Sequence, residues 1–320
     1  MDIARLNSLG IIASTCLLLT ACGGDGDGLS DAGKLSLSIT DAPIYDADAV
    51  EVDFNGVEIK PESGSALQFS FCEDTADPDN NPPVVVEGEC SASDPTFVTI
   101  DLLQQTGGAS YLLLDQVELP AGRVNWVRLK LEDPAGRFYE SGGTEHPLSV
   151  PSGNQTGLKL NRGFDVPADG EVEIYIDFDV RKSIVQTATG YKLKPTLRLV
   201  EEFGAIAGEV DSGLLATTCL GPSVYVFAGA AATPDDIDGD KGDPVSSAMV
   251  REDMGSTTGY SYRADFLDPG EYTVAFVCAE GISPAVAPAD DPEQDDALDF
   301  TPPAGKPATV VDGQTFAVDF

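Results

Sequence analysis

The sequence predicts an all-β protein: two tandem antiparallel β-sandwich domains behind a short apolar leader and a flexible tether. Three observations carry that reading. Apolar and polar residues alternate with period two in run after run, most clearly from Glu171 to Val180. Glycine and proline, 33 and 22 of the 320 residues, punctuate those runs as turns. No stretch carries the 3.6-residue period of an amphipathic helix.

The leader comes first. Leu9 to Leu19 is an apolar run about the length of a signal-peptide core and too short to span a bilayer. Leu19-Thr20-Ala21-Cys22 ends it, and the Gly/Asp tract Gly23 to Gly28 follows at once. This resembles the lipobox of bacterial lipoproteins, in which the cysteine is lipidated and becomes the mature N-terminus. The resemblance implies a signal peptide over 1–21, a lipid anchor on Cys22 and a flexible tether over 22–33. Two or more acyl chains give stable anchoring. In Gram-negative lipoproteins an aspartate directly after the cysteine favours the inner membrane; Gly23 stands there instead and points to the outer membrane. Arg5 is the leader's one cation and Asp2 opposes it, so the alternative is an ordinary secretory signal in which Cys22 is incidental.

Charge narrows the function classes. With 18 Lys+Arg against 54 Asp+Glu the formal net charge is −36, and removing 1–21 takes away Arg5 and Asp2 without changing it. Phosphate contacts need clustered cations, which excludes nucleic-acid binding as a main activity. A hydrophobic content of 42% supplies a core, so the chain is globular.

Of the six cysteines, Cys16 leaves with the signal and Cys22 takes the lipid. The remaining four allow three connectivities. Cys72–Cys90 and Cys219–Cys278 are the pairs that each fall within one proposed domain. Zinc is a poor alternative, because no Cys-x-x-Cys occurs and His146 is the one histidine.

The first domain spans 34–201. Leu35, Leu37 and Ile39 alternate with polar neighbours, and Asp41-Ala42-Pro43 ends that strand. Val50, Val52 and Phe54 form the next; at Asn55-Gly56 the parity shifts, which marks a bulge or a tight turn. Glu73 to Pro83 reads as an acidic surface loop. Strands follow at Thr96–Leu102, Tyr111–Leu114 and Val124–Glu132, the last introduced by the turn Leu119-Pro120-Ala121-Gly122. In the strand Glu171–Val180 the apolar set is Val172, Ile174, Ile176, Phe178 and Val180, with Asp177 and Asp179 on the opposite face. Tyr191–Val200 repeats the pattern, with Pro195 marking an edge or a bulge.

Several motifs occur in a familiar order: Ser38-Ile39-Thr40-Asp41-Ala42-Pro43, Gly56-Val57, Ile100-Asp101-Leu102-Leu103, Leu119 to Gly122 with Arg128-Leu129, Gln155 to Leu160, and Ile176 to Ser183. Over 34–201 the chain resembles domain-of-unknown-function family 4382, a bacterial lipoprotein domain. The resemblance implies a β-sandwich on a lipoprotein tether. It carries over no activity and no binding residue, and the insert from Cys72 to Cys90 departs from the simpler pattern.

Glu201-Glu202-Phe203-Gly204 links to a second domain, 204–320. Ala205–Val210, Ser223–Ala228 and Ala248–Glu252 read as strands, and Tyr260 to Val274 as strand, Pro-Gly turn and strand. That stretch resembles the carboxypeptidase-regulatory or prealbumin-like sandwich, Ig-like in architecture and shared with some carbohydrate-binding modules. A carbohydrate role drawn from it is analogy only. The Leu267-Asp268-Pro269-Gly270 turn repeats the device at Leu119 to Gly122.

Two constellations stand out. Asp236, Asp238, Asp240 and Asp243 alternate in a Gly-rich loop able to wrap oxygens around calcium. Lys241 takes the glycine position of the EF-hand pattern and Ser247 that of its closing glutamate, so a solvated acidic turn is favoured over calcium. Residues 123–198 hold 11 of the 18 cations. By strand parity Arg128, Lys130, Lys192, Lys194 and Arg198 share a solvent face with Asp177 and Asp179. That face suits an anionic glycan or an envelope protein, or else is cross-strand charge pairing on a wet sheet. Trp126, beside Val124 and Val127, reads as core. No Gly-x-Ser-x-Gly motif accompanies His146, and no cofactor motif is present. The function expected is a non-catalytic binding or structural module of the cell envelope, membrane-held through its lipid. The alternative is an extracytoplasmic hydrolase using acidic residues.

Overall fold

Leu35, Leu37 and Ile39 are fully buried, and the strand that their alternation predicts lies inside a four-stranded sheet. The structure, a computed structural model, describes residues 32–42, 47–73, 84–91, 96–150, 156–188, 190–215, 219–279 and 290–320. The leader, Cys22, most of the tether, Pro43 and most of the acidic loop before Pro83 lie outside the described residues. Residues 32–33 of the expected tether already belong to the first strand.

The first half comprises β1 (Ala32–Ala42), β2 (Ala47–Pro61), β3 (Leu67–Cys72), β4 (Val84–Glu87), β5 (Val98–Asp101), β6 (Tyr111–Pro120), β7 (Gly122–Glu140), β8 (Glu145–Ser149), β9 (Leu158–Leu160), β10 (Phe164–Val166), β11 (Glu171–Asp179), β12 (Ile184–Thr187), β13 (Gly190–Leu193) and β14 (Leu197–Val200). One sheet has the order β14-β11-β1-β6; the other runs β12-β13-β8-β7-β2-β3-β4, with β5 on β2 and both β9 and β10 on β7. Their inner faces share one core that includes Leu37, Ile39, Phe54, Val57, Leu129, Ile174 and Ile176. Most pairs are antiparallel, as expected for a sandwich, but β8 and β13 run parallel, as do β1 and β11, Leu37 beside Ile174 and Ile39 beside Ile176. Asn55-Gly56 is a bulge within the continuous β2, since the register against β7 shifts between Phe54 and Gly56.

The turn at Leu119 to Gly122 joins β6 in one sheet to β7 in the other, so it is a corner between layers and not a hairpin. Gly122 takes φ +116° there, a conformation that side chains rarely adopt. Tyr191–Val200 is not one strand: β13 belongs to the ten-stranded sheet and β14 to the four-stranded sheet. Pro195, which cannot donate to a ladder, falls between them.

The second half comprises β15 (Gly204–Glu209), β16 (Pro222–Ala228), β17 (Ser246–Met249), β18 (Arg251–Glu252), β19 (Tyr260–Leu267), β20 (Gly270–Cys278), β21 (Thr301–Val310) and β22 (Thr315–Ala317). Its sheets are β18-β19-β15-β22 and β17-β16-β20-β21, packed over Ile206, Val224, Val226, Leu267 and Val274. The Asp268-Pro269 turn again carries the chain from one sheet to the other. β16 is buried on both faces, which suits the unbroken run Val224-Tyr225-Val226-Phe227: Tyr225 and Phe227 face a second cluster with Ile237 and Phe300. Cys72–Cys90 and Cys219–Cys278 are disulfide-bonded, with Cα atoms 5.7 Å and 5.1 Å apart. Among the described residues no strand of one half pairs with a strand of the other, yet 31–320 is one compact unit. No helix among the described residues is long and apolar enough to cross a membrane.

Candidate functional site

A single helical turn, Val180–Ser183, follows β11. Asp179 caps it by accepting from the Lys182 amide at 3.2 Å, and Asp41 accepts from the Val180 amide at 3.0 Å. Held this way, Arg181 enters the second half with 1% of its surface exposed. Its Nη1 donates to Tyr225 Oη at 2.7 Å and its Nη2 to Ser223 Oγ at 3.4 Å. The Asp290 carboxylate lies 3.5 Å from the guanidinium and accepts from both the Tyr225 hydroxyl and the Ile237 amide. Burial raises the Asp290 pKa, with Arg181 opposing, and pushes the Tyr225 phenol well above its ordinary value. A buried arginine without partners would be costly; this one meets a carboxylate and two hydroxyls.

The cluster redraws the candidate calcium loop. Asp236, Asp290 and Asp296 bring carboxylate oxygens within 4.8 Å of one another. Burial pushes the Asp236 pKa up to about 6. Asp238, Asp240 and Asp243 do not join them: Asp238 accepts from the Asp240 amide at 2.8 Å, and Asp243 from the Asp238 amide at 3.3 Å. Asp243 also lies 3.9 Å from Lys182. The four loop aspartates thus form no common ligand set, and Arg181 supplies a cation beside Asp290, one of the three gathered carboxylates.

The charged face expected from strand parity does not assemble. Asp177 and Asp179 are buried, at 7% and 8% exposure, because the second half covers the outer side of β11. There Tyr175 packs against Phe203 and Phe266 at centroid distances of 5.0 Å and 4.9 Å. Arg198 pairs with Asp177 at 2.5 Å on the four-stranded sheet. Arg128 and Lys130 lie on β7, Lys192 on β13, and Lys194 just past it, paired with Glu293. Arg128 binds Glu58 at 2.5 Å.

Trp126 does not join the core. It is half-buried, on the opposite side of β7 from the core residues Val124 and Val127. Arg128 and Lys159 lie 4.7 Å and 4.6 Å from its ring centre, a cation–π arrangement that fixes both cations. Lys159 in turn edges a groove of about 460 Å³ between β9 and β14. Leu158, Leu160, Leu197 and Leu199 line the groove, with Lys159, Arg162 and Arg198 among its polar residues. Arg162 and Arg198 both approach Asp268 of the second half, at 3.3 Å and 3.9 Å. Arg198 is legible in the sequence but the groove is not, because its partners sit on strands of different sheets.

His146 sits beside an acid and an aromatic ring. Its Nε2 lies 3.3 Å from Glu140 and its ring meets Tyr191 edge-on; among the described residues no serine or threonine hydroxyl bonds to it.

No curated protein matches the chain. Among solved structures, a minor pilin of Streptococcus agalactiae is 12% identical, covering 89% of this chain and 94% of its own, with a TM-score of 0.16. A cell adhesion protein of Bacteroides fragilis, so titled as putative, is 9% identical, with 96% and 87% covered and a TM-score of 0.20. The TIE protein of Bacillus anthracis is 10% identical at a TM-score of 0.17; this chain covers 34% of it, about a third of its length. Likenesses this distant carry no functional argument. A family model matches residues 32–195, about half of the chain, and the protein belongs to the family described as Domain of unknown function (DUF4382).

Proposed function

We propose that this protein is a lipid-anchored module of the Gram-negative outer membrane that binds an envelope partner, glycan or protein, without catalysis. The observation that carries the reading is the gathering of Lys159, Arg162 and Arg198 at one groove of a chain with net charge −36. Clustered cations on so acidic a molecule attract anionic partners. The engagement of His146 with Glu140 agrees with a non-catalytic role. The Cys22 motif supports the anchor, with 22–31 as tether.

Titrating the purified protein with envelope polysaccharide and envelope proteins tests the reading. Calorimetry follows binding and chromatography follows products. Saturable binding without turnover is expected. Product formation, or no binding to either class, contradicts it.

A further inference from the structure

We propose that the groove between β9 and β14 docks an extended, acidic peptide strand of a partner protein. The proposal rests on the binding-module reading and names the class of partner. Among the described residues β9 is hydrogen-bonded only to β7, and β14 only to β11. Each therefore keeps a second edge of backbone N–H and C=O groups, the template for strand addition. Leu158, Leu160, Leu197 and Leu199 recur at every second position of these two strands. Leu158, Leu160 and Leu199 point into the core and Leu197 is half-buried, so an added strand, with the same period of two, would extend that inner face with its own alternate residues. Lys159 and Arg162 set the charge of the remaining positions.

The molecule already shows what those cations take. Asp268, from the second half, lies against both Arg162 and Arg198 at the groove. Lys159 is held over Trp126, which lowers the ordering cost when a carboxylate approaches it. A polysaccharide would use the cations but leave the strand edges unsatisfied. The peptide uses both.

The test uses the purified protein and a synthetic peptide of about five Glu-Val repeats, compared with a Lys-Val peptide and with polygalacturonate. Fluorescence anisotropy reads binding, and amide NMR shifts locate it. The acidic peptide should bind saturably and move the amides of 158–160 and 197–200. Lys159→Glu with Arg162→Glu should weaken it by about tenfold or more. Lys159→Glu alone, which leaves the Asp268 pairs intact, should weaken it less, with unchanged near-UV circular dichroism. Equal binding of both peptides, an undiminished affinity in the double variant, or no peptide binding overturns the proposal. Polygalacturonate binding in place of the peptide also overturns it while leaving the binding-module reading standing.

Discussion

Arg181 and Tyr225 meet across the boundary between the two halves, guanidinium to phenol at 2.7 Å, although neither residue's strand neighbourhood contains the other. The pair and Asp290 join a turn after β11 to the outer face of β16. Lys182 reinforces the contact by donating to the Pro244 carbonyl. Arg162 and Arg198 do so through Asp268.

Removing one partner of a buried charge pair leaves the other uncompensated. Arg181→Ala should therefore cost about 3–5 kcal/mol in urea unfolding of the purified protein. Loss of less than about 1 kcal/mol would mean that water satisfies Asp290 and Tyr225 in the variant.

A pH effect follows from Asp236, whose pKa is pushed up to about 6 by burial. The unfolded chain titrates this group near 3.9, so the folded state favours its protonated form. The stability it contributes is fully present below about pH 4 and is lost as pH rises through about 6. The wild type and Asp236→Asn should diverge across that window, by up to about 2–3 kcal/mol, with the asparagine variant flatter. Parallel pH curves for the two proteins would refute the burial argument.

Calcium offers a check on the role of Arg181. With a guanidinium 3.5 Å from Asp290, calcium and magnesium should raise the Tm equally and slightly at matched ionic strength. Arg181→Gln leaves Asp236, Asp290 and Asp296 without that charge and should gain a calcium-specific rise. A calcium-specific rise in the wild type, abolished by Asp238→Asn with Asp240→Asn, would reinstate the aspartate loop as the site.

The disulfides predict that thiol titration of the denatured, unreduced 32–320 region finds no free thiol. Cys219 and Cys278 close the longer loop, a separation of 59 residues. Replacing both by serine should cost about 4 kcal/mol in the chain-entropy model. An unchanged unfolding midpoint would show that the unfolded chain is not the state that this crosslink restrains.

Much of the first sandwich was legible in its alternation. Val172, Ile174, Ile176 and Phe178 are inside, as period two requires. Parity told which side of the sheet Asp177 faces but not that Phe203 and Phe266 pack beyond it; a second layer leaves no periodic mark in the strand that it covers. Tyr191 to Val200 kept its alternation across Pro195 while changing sheets, because both pieces bury leucines in the same core. The turns at Pro120 and Pro269 were readable as turns, yet only pairing partners distinguish a hairpin from a corner. Arg181 sits in Val180-Arg181-Lys182-Ser183, where local sequence resembles a solvated cationic turn. Its burial depends on Asp290, more than a hundred residues away.

Palmitate labelling tests most directly the central claim, that this module is held at the envelope by a lipid on Cys22. Cells expressing the full chain and its Cys22→Ser variant are labelled, and their membranes separated by density. The account predicts label on the wild-type protein in the outer-membrane fraction, and an unlabelled variant that leaves the membrane. Label that persists on the Cys22→Ser protein would contradict it.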